Sequence, residues 1–103
     1  MLWMKRRYLV PIHGGCGELK TDELHGLIQQ IVVEPTKLDT VWSLRVLDRD
    51  NDDVLNIKDH EGILNDRQGL PVGKDTPEYL RFVFEEMTAN EPIKVLLNIK
   101  EVK

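Results

Sequence analysis

Turn-forming residues recur at short intervals along this chain, and no other feature constrains the fold as strongly. Clusters of glycine, proline, asparagine and aspartate interrupt it at 14–17, 34–35, 48–53, 62, 69–73 and 89–92. The longest segment between these clusters has 16 residues, which favours short strands over long helices. The spacing predicts an all-β fold, an antiparallel β-sandwich (immunoglobulin-like or jelly-roll-like) of about 7–8 short strands.

Several of these segments alternate apolar and polar residues with the period of a strand. In residues 92–102 the alternate apolar side chains are Ile93, Val95, Leu97 and Ile99. In residues 40–48 they are Trp42, Leu44 and Val46. These side chains are predicted to form the core between two sheets. Further strands are predicted over 5–12 and 54–58.

Two segments fit both a helix and a strand. Residues 24–31 have apolar side chains at helical spacing, but Gly26 and the β-branched residues at 31–33 disfavour a helix. We therefore predict a strand over 27–34. The segment 77–88 starts with a proline, which favours a helix start, yet its Phe-Val-Phe run alternates as in a strand. A strand is predicted there as well.

Length and charge limit the class of protein. A chain of 103 residues predicts one domain over 1–103, with residues 1–4 as a candidate flexible N-terminal extension. No signal peptide or membrane span is expected. The 18 acidic residues exceed the 14 basic ones, and the excess lies in 48–67. Without a continuous basic stripe, nucleic acid is not an expected partner.

The segment Asp48–Asp53 offers one candidate metal or glycan site. Asp48, Asp50 and Asp52 alternate as calcium ligands do in a helix-loop-helix loop, but Asp53 stands where that loop needs glycine. A polar hairpin tip explains the same residues, because aspartate and asparagine tolerate turn geometry. We predict no metal and no cofactor, and keep calcium or carbohydrate binding by this loop as the alternative function.

His13 and Cys16 have the spacing of a zinc-binding pair, but no second pair follows. The glycines between and after them indicate a turn. Cys16 is the only cysteine and could serve as a nucleophile if His13 or His25 acted as its base. Nothing else in the sequence points to catalysis, so no catalytic residue is predicted.

The candidate partner-binding residues are Trp3, Lys5, Arg6 and Arg7. Trp3 is an aromatic residue near the terminus, of the kind that is enriched in protein interfaces. On a strand, Lys5 and Arg7 would face one side and Arg6 the other. Contact between these cations and the acidic 48–67 region of another copy would give a heterologous homo-oligomer.

The order of these segments resembles that of small β-sandwich virion proteins of tailed bacteriophages. The resemblance is carried by RRYLVPIHGGCGEL, GLIQQIVVEP, WSLRVLDRDNDDVL, EGILNDRQGLPVG and RFVFEEMTANEPIKVLLNIKEV. It implies a non-enzymatic structural protein, a head decoration or cement protein or a tail accessory. Such a protein would be made in the bacterial cytoplasm, reside in the virion and dock onto capsid or tail proteins.

Overall fold

The strands pair in a nested order: an early strand pairs with a late one, and the strands between them pair with one another in the same way. The computed structural model describes residues 2–73 and 76–101, with backbone only for Leu2 and Glu101. The strands within these ranges are β1 (Leu2–Val10), β2 (Gly17–Lys20), β3 (Gly26–Pro35), β4 (Val41–Leu47), β5 (Asp53–Glu61), β6 (Leu64–Asp66), β7 (Leu70–Val72), β8 (Arg81–Glu85) and β9 (Ile93–Glu101). All pairings are antiparallel: β1 with β9, β2 with β8, β3 with β6, β7 and β9, and β4 with β5 and β8.

This nested pairing produces the two sheets of a jelly roll. The first sheet has the order β1-β9-β3-β6, and the second has the order β2-β8-β4-β5. Strand β7 also pairs with β3, at Gly26–Ile28, whereas β6 pairs with it at Ile31–Val33. The two short strands therefore share one edge position, and the nine strands of the described residues fill eight positions. The predicted antiparallel sandwich is confirmed, with jelly-roll connectivity.

The core lies between the sheets and comes from the alternating residues. The side chains with no exposed surface are Val10, Val33, Trp42, Leu44, Val46, Phe82, Phe84, Ile93, Leu97 and Ile99. Burying each such apolar side chain contributes about 1.5–3 kcal/mol to folding. The inward faces predicted for 40–48 and 92–102 are confirmed, except that Ser43 and Leu47, at intervening positions of β4, are also buried.

The contested segments are strands. Residues 27–34 lie within β3, and the segment 77–88 contains β8 with no helical turn. Residues 2–4, the candidate flexible extension, belong to β1 and pair with the end of β9, so Trp3 lies within a strand and not before it. No helix in the described part of the chain is long and apolar enough to cross a membrane.

Candidate docking surface

Strand β1 separates the three basic residues of the N-terminal segment, as predicted. Lys5 and Arg7 are exposed on the outer face of the first sheet, where they lie opposite Asn98 and Leu96 of β9. Arg6 is half-buried on the other side of the strand. The candidate residues Lys5 and Arg7 therefore share a surface with Trp3, whereas Arg6 does not.

Strand β9 and the β6–β7 connection add three more cations to this surface. Lys94 lies opposite Leu9, and Lys100 lies opposite Trp3. Arg67 borders a depression together with Trp3 and Lys5. We call this surface the basic face: the outward side chains of β1, β9 and β3, together with Arg67.

The basic face carries more cations than carboxylates, unlike the chain as a whole. Its cations are Lys5, Arg7, Arg67, Lys94 and Lys100, and its carboxylate is Glu34. Among the side chains that the structure describes, five cations thus lie there against one carboxylate. None of the five cations forms an ion pair with any carboxylate that the structure describes. Glu34, opposite Lys94 across β3 and β9, offsets part of their charge.

An apolar patch lies within the basic face. Leu9 is 62 % exposed, and the half-buried Val32 and Leu96 are neighbours across β3 and β9. The three side chains line a shallow depression bordered by the cations Arg7 and Lys94 and by the carboxylate Glu34, which lies opposite Lys94. Trp3, 56 % exposed, lies about 20 Å from Leu9 along β1. Protein interfaces commonly combine an apolar centre with aromatic and arginine side chains.

Between Trp3 and the apolar patch, amide side chains connect three strands. Asn98 donates a hydrogen bond from Nδ2 to Oε1 of Gln30, and Gln30 donates from Nε2 to Oδ1 of Asn65 at 2.9 Å. Such cross-strand pairs add to the stability of a sheet. They also fix the polar part of the basic face in one arrangement.

Two arginines on the outer face of the second sheet form ion pairs. Arg45 lies 3.2 Å from Asp53 and 3.9 Å from Glu85. Arg81 lies 2.8 Å from Glu18. The two faces therefore differ in part: ion pairs involve both arginines of these second-sheet strands, whereas the five cations of the basic face form none with a described carboxylate.

Arg6 takes part in a different cluster, at the open edge between the two sheets. Its Nε lies 3.1 Å from Oδ2 of Asp22, and the hydroxyl of Tyr8 donates to Oδ1 of the same carboxylate. The hydrogen bond from Tyr8 holds the pKa of Asp22 below its usual value. Burial, followed by the bond to Asp22, raises the pKa of Tyr8. This cluster attaches the β2–β3 connection to β1.

Replacing Tyr8 by phenylalanine is expected to lower the free energy of unfolding by about 1 kcal/mol at pH 7, since the bond is partly exposed. The depressed pKa of Asp22 stabilises the fold above about pH 4 and ceases to do so as the pH falls through it. The raised pKa of Tyr8 stabilises the fold fully below about pH 10, and this contribution is lost progressively as the pH rises from there through the raised pKa. The difference between variant and wild type should therefore shrink at both extremes.

Urea unfolding at pH 3, 7 and 10.5 measures this difference. Tyr79→Phe is the matched control, because it keeps the ring that the Lys20 ammonium contacts at 4.1 Å. If Tyr8→Phe lowered the free energy of unfolding by the same amount at all three pH values, the loss could not be assigned to the hydrogen bond between Tyr8 and Asp22.

The aspartate segment forms a turn in the structure. Oδ1 of Asp48 accepts hydrogen bonds from the backbone N–H groups of Asp50 at 2.9 Å and Asp52 at 3.0 Å. Asn51 has a positive φ of 64°, which asparagine tolerates better than most residues. Asp53 pairs with Arg45. Asp48 and Asp53 thus stabilise the turn and the adjoining strand, as the hairpin-tip interpretation expects.

His13 and Cys16 also belong to a turn. The N–H of His13 donates to the carbonyl of Cys16 at 2.8 Å, and the reverse bond is 3.0 Å. Gly14 and Gly15 have φ values of 60° and 75°, which suit a tight two-residue hairpin. Cys16 is exposed. Within 2–73 and 76–101, no three His, Cys, Asp or Glu side chains converge as a metal site would require.

Sequence reasoning identified three residues of the basic face, Trp3, Lys5 and Arg7, and missed its apolar patch and the cations of β9. The alternation of side chains along each strand would indicate which residues share this face. The outward residues have odd numbers in β1 and even numbers in β9. Comparisons of this chain with protein-family models, with curated proteins and with solved structures find no significant match.

Proposed function

We propose that this protein is a non-enzymatic structural component of a tailed-phage virion, a head decoration or cement protein that docks through its basic face. The observation that carries the proposal is the apolar patch of Leu9, Val32 and Leu96 among cations without described partners. An exposed apolar patch with a charged rim is typical of a protein-binding surface.

The fold is compatible with this role. Jelly rolls occur in viral capsid proteins, and also in lectins and cupins, so the topology alone does not select the function. The rigid two-sheet scaffold places β1, β9 and β3 side by side, and their outward side chains form one continuous surface. The order of segments described above adds the resemblance to virion proteins.

Particle composition provides the first test. Purified particles of the virus that encodes this chain are expected to contain it in many copies, measured by quantitative mass spectrometry. A non-structural protein from the same genome sets the background. Content at that background level would overturn the proposal.

A matched pair of variants tests the docking surface. Leu96→Asp places a carboxylate in the apolar patch, beside Arg7, and is expected to weaken binding to particles that lack the chain by about tenfold or more. Val83→Asp makes the same change at a half-buried outward position of the second sheet, beside Arg45. It should leave binding unchanged. Equal losses for both variants would contradict docking through the basic face.

A further inference from the structure

The exposed apolar side chains of the described residues form two groups with opposite electrostatic surroundings. The large ones are Trp3, Leu9, Leu38 and Ile63. Trp3 and Leu9 lie on the basic face. Leu38, 64 % exposed, and Ile63, 48 % exposed, lie in two connections at one end of the sandwich.

The two connections that carry Leu38 and Ile63 adjoin each other. The N–H of Gly62 donates to the carbonyl of Thr40 at 3.0 Å. A Cβ added to Gly62 would lie 3.1 Å from the carbonyl oxygen of Leu38. The two apolar side chains therefore belong to one end of the molecule, and neither is buried there.

This end carries acidic residues. Asp39 and Glu61 are exposed and adjacent in sequence to Leu38 and to the Gly62 turn. Neither forms an ion pair with a cation in the part of the chain that the structure describes. The one cation of the 36–40 connection, Lys37, is paired with Glu91 at 3.1 Å. We call Leu38, Asp39, Glu61 and Ile63 the acidic end.

We propose that the acidic end of one copy docks onto the basic face of the next. Leu38 and Ile63 would cover the patch of Leu9, Val32 and Leu96, and Asp39 and Glu61 would face Arg7 and Lys94. This proposal rests on the docking role of the basic face proposed above and names its occupant. Because the two surfaces differ, the contact is heterologous, and repetition gives a ring or an open array.

The dimensions of the surfaces predict a weak contact. The molecule measures 40 × 25 × 19 Å, so an end presents about 25 × 19 Å. Three strands at about 4.8 Å spacing and eight residues at about 3.3 Å give a face of roughly 14 × 26 Å. Such an area lies at the low end for specific interfaces, which predicts micromolar or weaker association per contact. Many copies on one particle would strengthen it through multivalency.

Sedimentation velocity of the full chain over a range of concentrations tests the contact. Wild type is expected to associate at 50 mM salt and to be mostly monomeric at 500 mM, where the Debye length falls to about 4 Å. A face-reversed variant, Arg7→Glu with Lys94→Glu, and an end-reversed variant, Asp39→Lys with Glu61→Lys, should each associate at least about tenfold more weakly.

The decisive measurement mixes the two variants. The acidic face of the first and the basic end of the second should restore association in an equimolar mixture. Lys20→Glu with Lys58→Glu is the matched control, since it makes the same charge change on the second sheet and should associate as wild type does. Circular dichroism and melting confirm that every variant is folded.

Three outcomes would overturn the proposal: a wild type that stays monomeric at low salt, variants that associate normally, or a mixture that does not recover. If the chain is nevertheless present in purified particles, the proposed function stands and the basic face binds another virion protein. Binding of the basic face to a 20-residue oligothymidylate instead, lost in the face-reversed variant, would identify a nucleic-acid partner and overturn the second copy as occupant.

Discussion

Replacement of Trp42 by alanine is expected to lower the free energy of unfolding by about 4–6 kcal/mol, the largest effect of any single substitution considered. Trp42 has no exposed surface and contacts two rings, Phe84 at 6.0 Å and His60 at 5.1 Å between centroids. Its Nε1–H donates to the carbonyl of Gly62 at 2.9 Å in a buried environment. Alanine would leave a cavity and an unpaired carbonyl.

The loss of stability expected for Trp42→Ala is large relative to the total stability of the domain. A domain of this size has a total stability of about 5–15 kcal/mol, so the variant should be substantially unfolded in mild denaturant. Circular dichroism during guanidinium unfolding measures it without interference from the fluorescence of Trp3. Trp42→Phe separates the effect of lost packing from that of the lost hydrogen bond. Phenylalanine keeps most of the ring but has no N–H donor, so the free energy of unfolding should fall by about 1–3 kcal/mol. An alanine variant within 1 kcal/mol of wild type would contradict this account of the core.

Gly73→Ala is expected to be the second most damaging change, with a loss of about 3–5 kcal/mol. Gly73 has a φ of 65°, and an added Cβ would lie 2.4 Å from the carbonyl oxygen of Leu24 and 3.1 Å from that of Thr76. These two oxygens and the Cα of His25, also at 3.1 Å, are backbone atoms. Leu24 is buried and exchanges two backbone hydrogen bonds with Glu78, so a shift there disturbs the core.

Gly14→Ala is the matched control for the effect of backbone conformation alone. Gly14 has nearly the same φ, 60°, but no atom lies within 4 Å of its added Cβ. Alanine there should lose only the roughly 1–2 kcal/mol of a left-handed residue. Thermal melting of the two variants measures the difference. Equal losses would show that conformation, and not contact with the Leu24 carbonyl, dominates at Gly73.

Much of the fold could be predicted because the alternation of apolar residues is local. Within the nine residues of β9, the alternation identifies the inward side chains Ile93, Val95, Leu97 and Ile99. The same alternation in β4 identifies Trp42 as an inward residue. Whether the sandwich is immunoglobulin-like or a jelly roll could not be predicted. That distinction depends on which strands pair, and pairing is a long-range property.

The candidate site was only partly predictable for the same reason. Arg7 and Leu96 lie side by side on the basic face but are far apart in the sequence. A chain with a net charge of −4 gives no compositional sign of a basic surface. The 48–67 segment was prominent in sequence, yet the structure uses Asp48 and Asp53 for local stability, whereas Glu61 and Ile63 lie at the acidic end.

The pairing of β1 with β9 also has a consequence for biosynthesis. Leu2 lies opposite Glu101, so β1 cannot pair until β9, the last strand in the described part of the chain, has left the ribosome. Such distant pairing slows folding. During that interval β9 of a neighbouring nascent chain is a competing partner for β1, and exchange of terminal strands between copies is the misassembly to which this topology is most exposed.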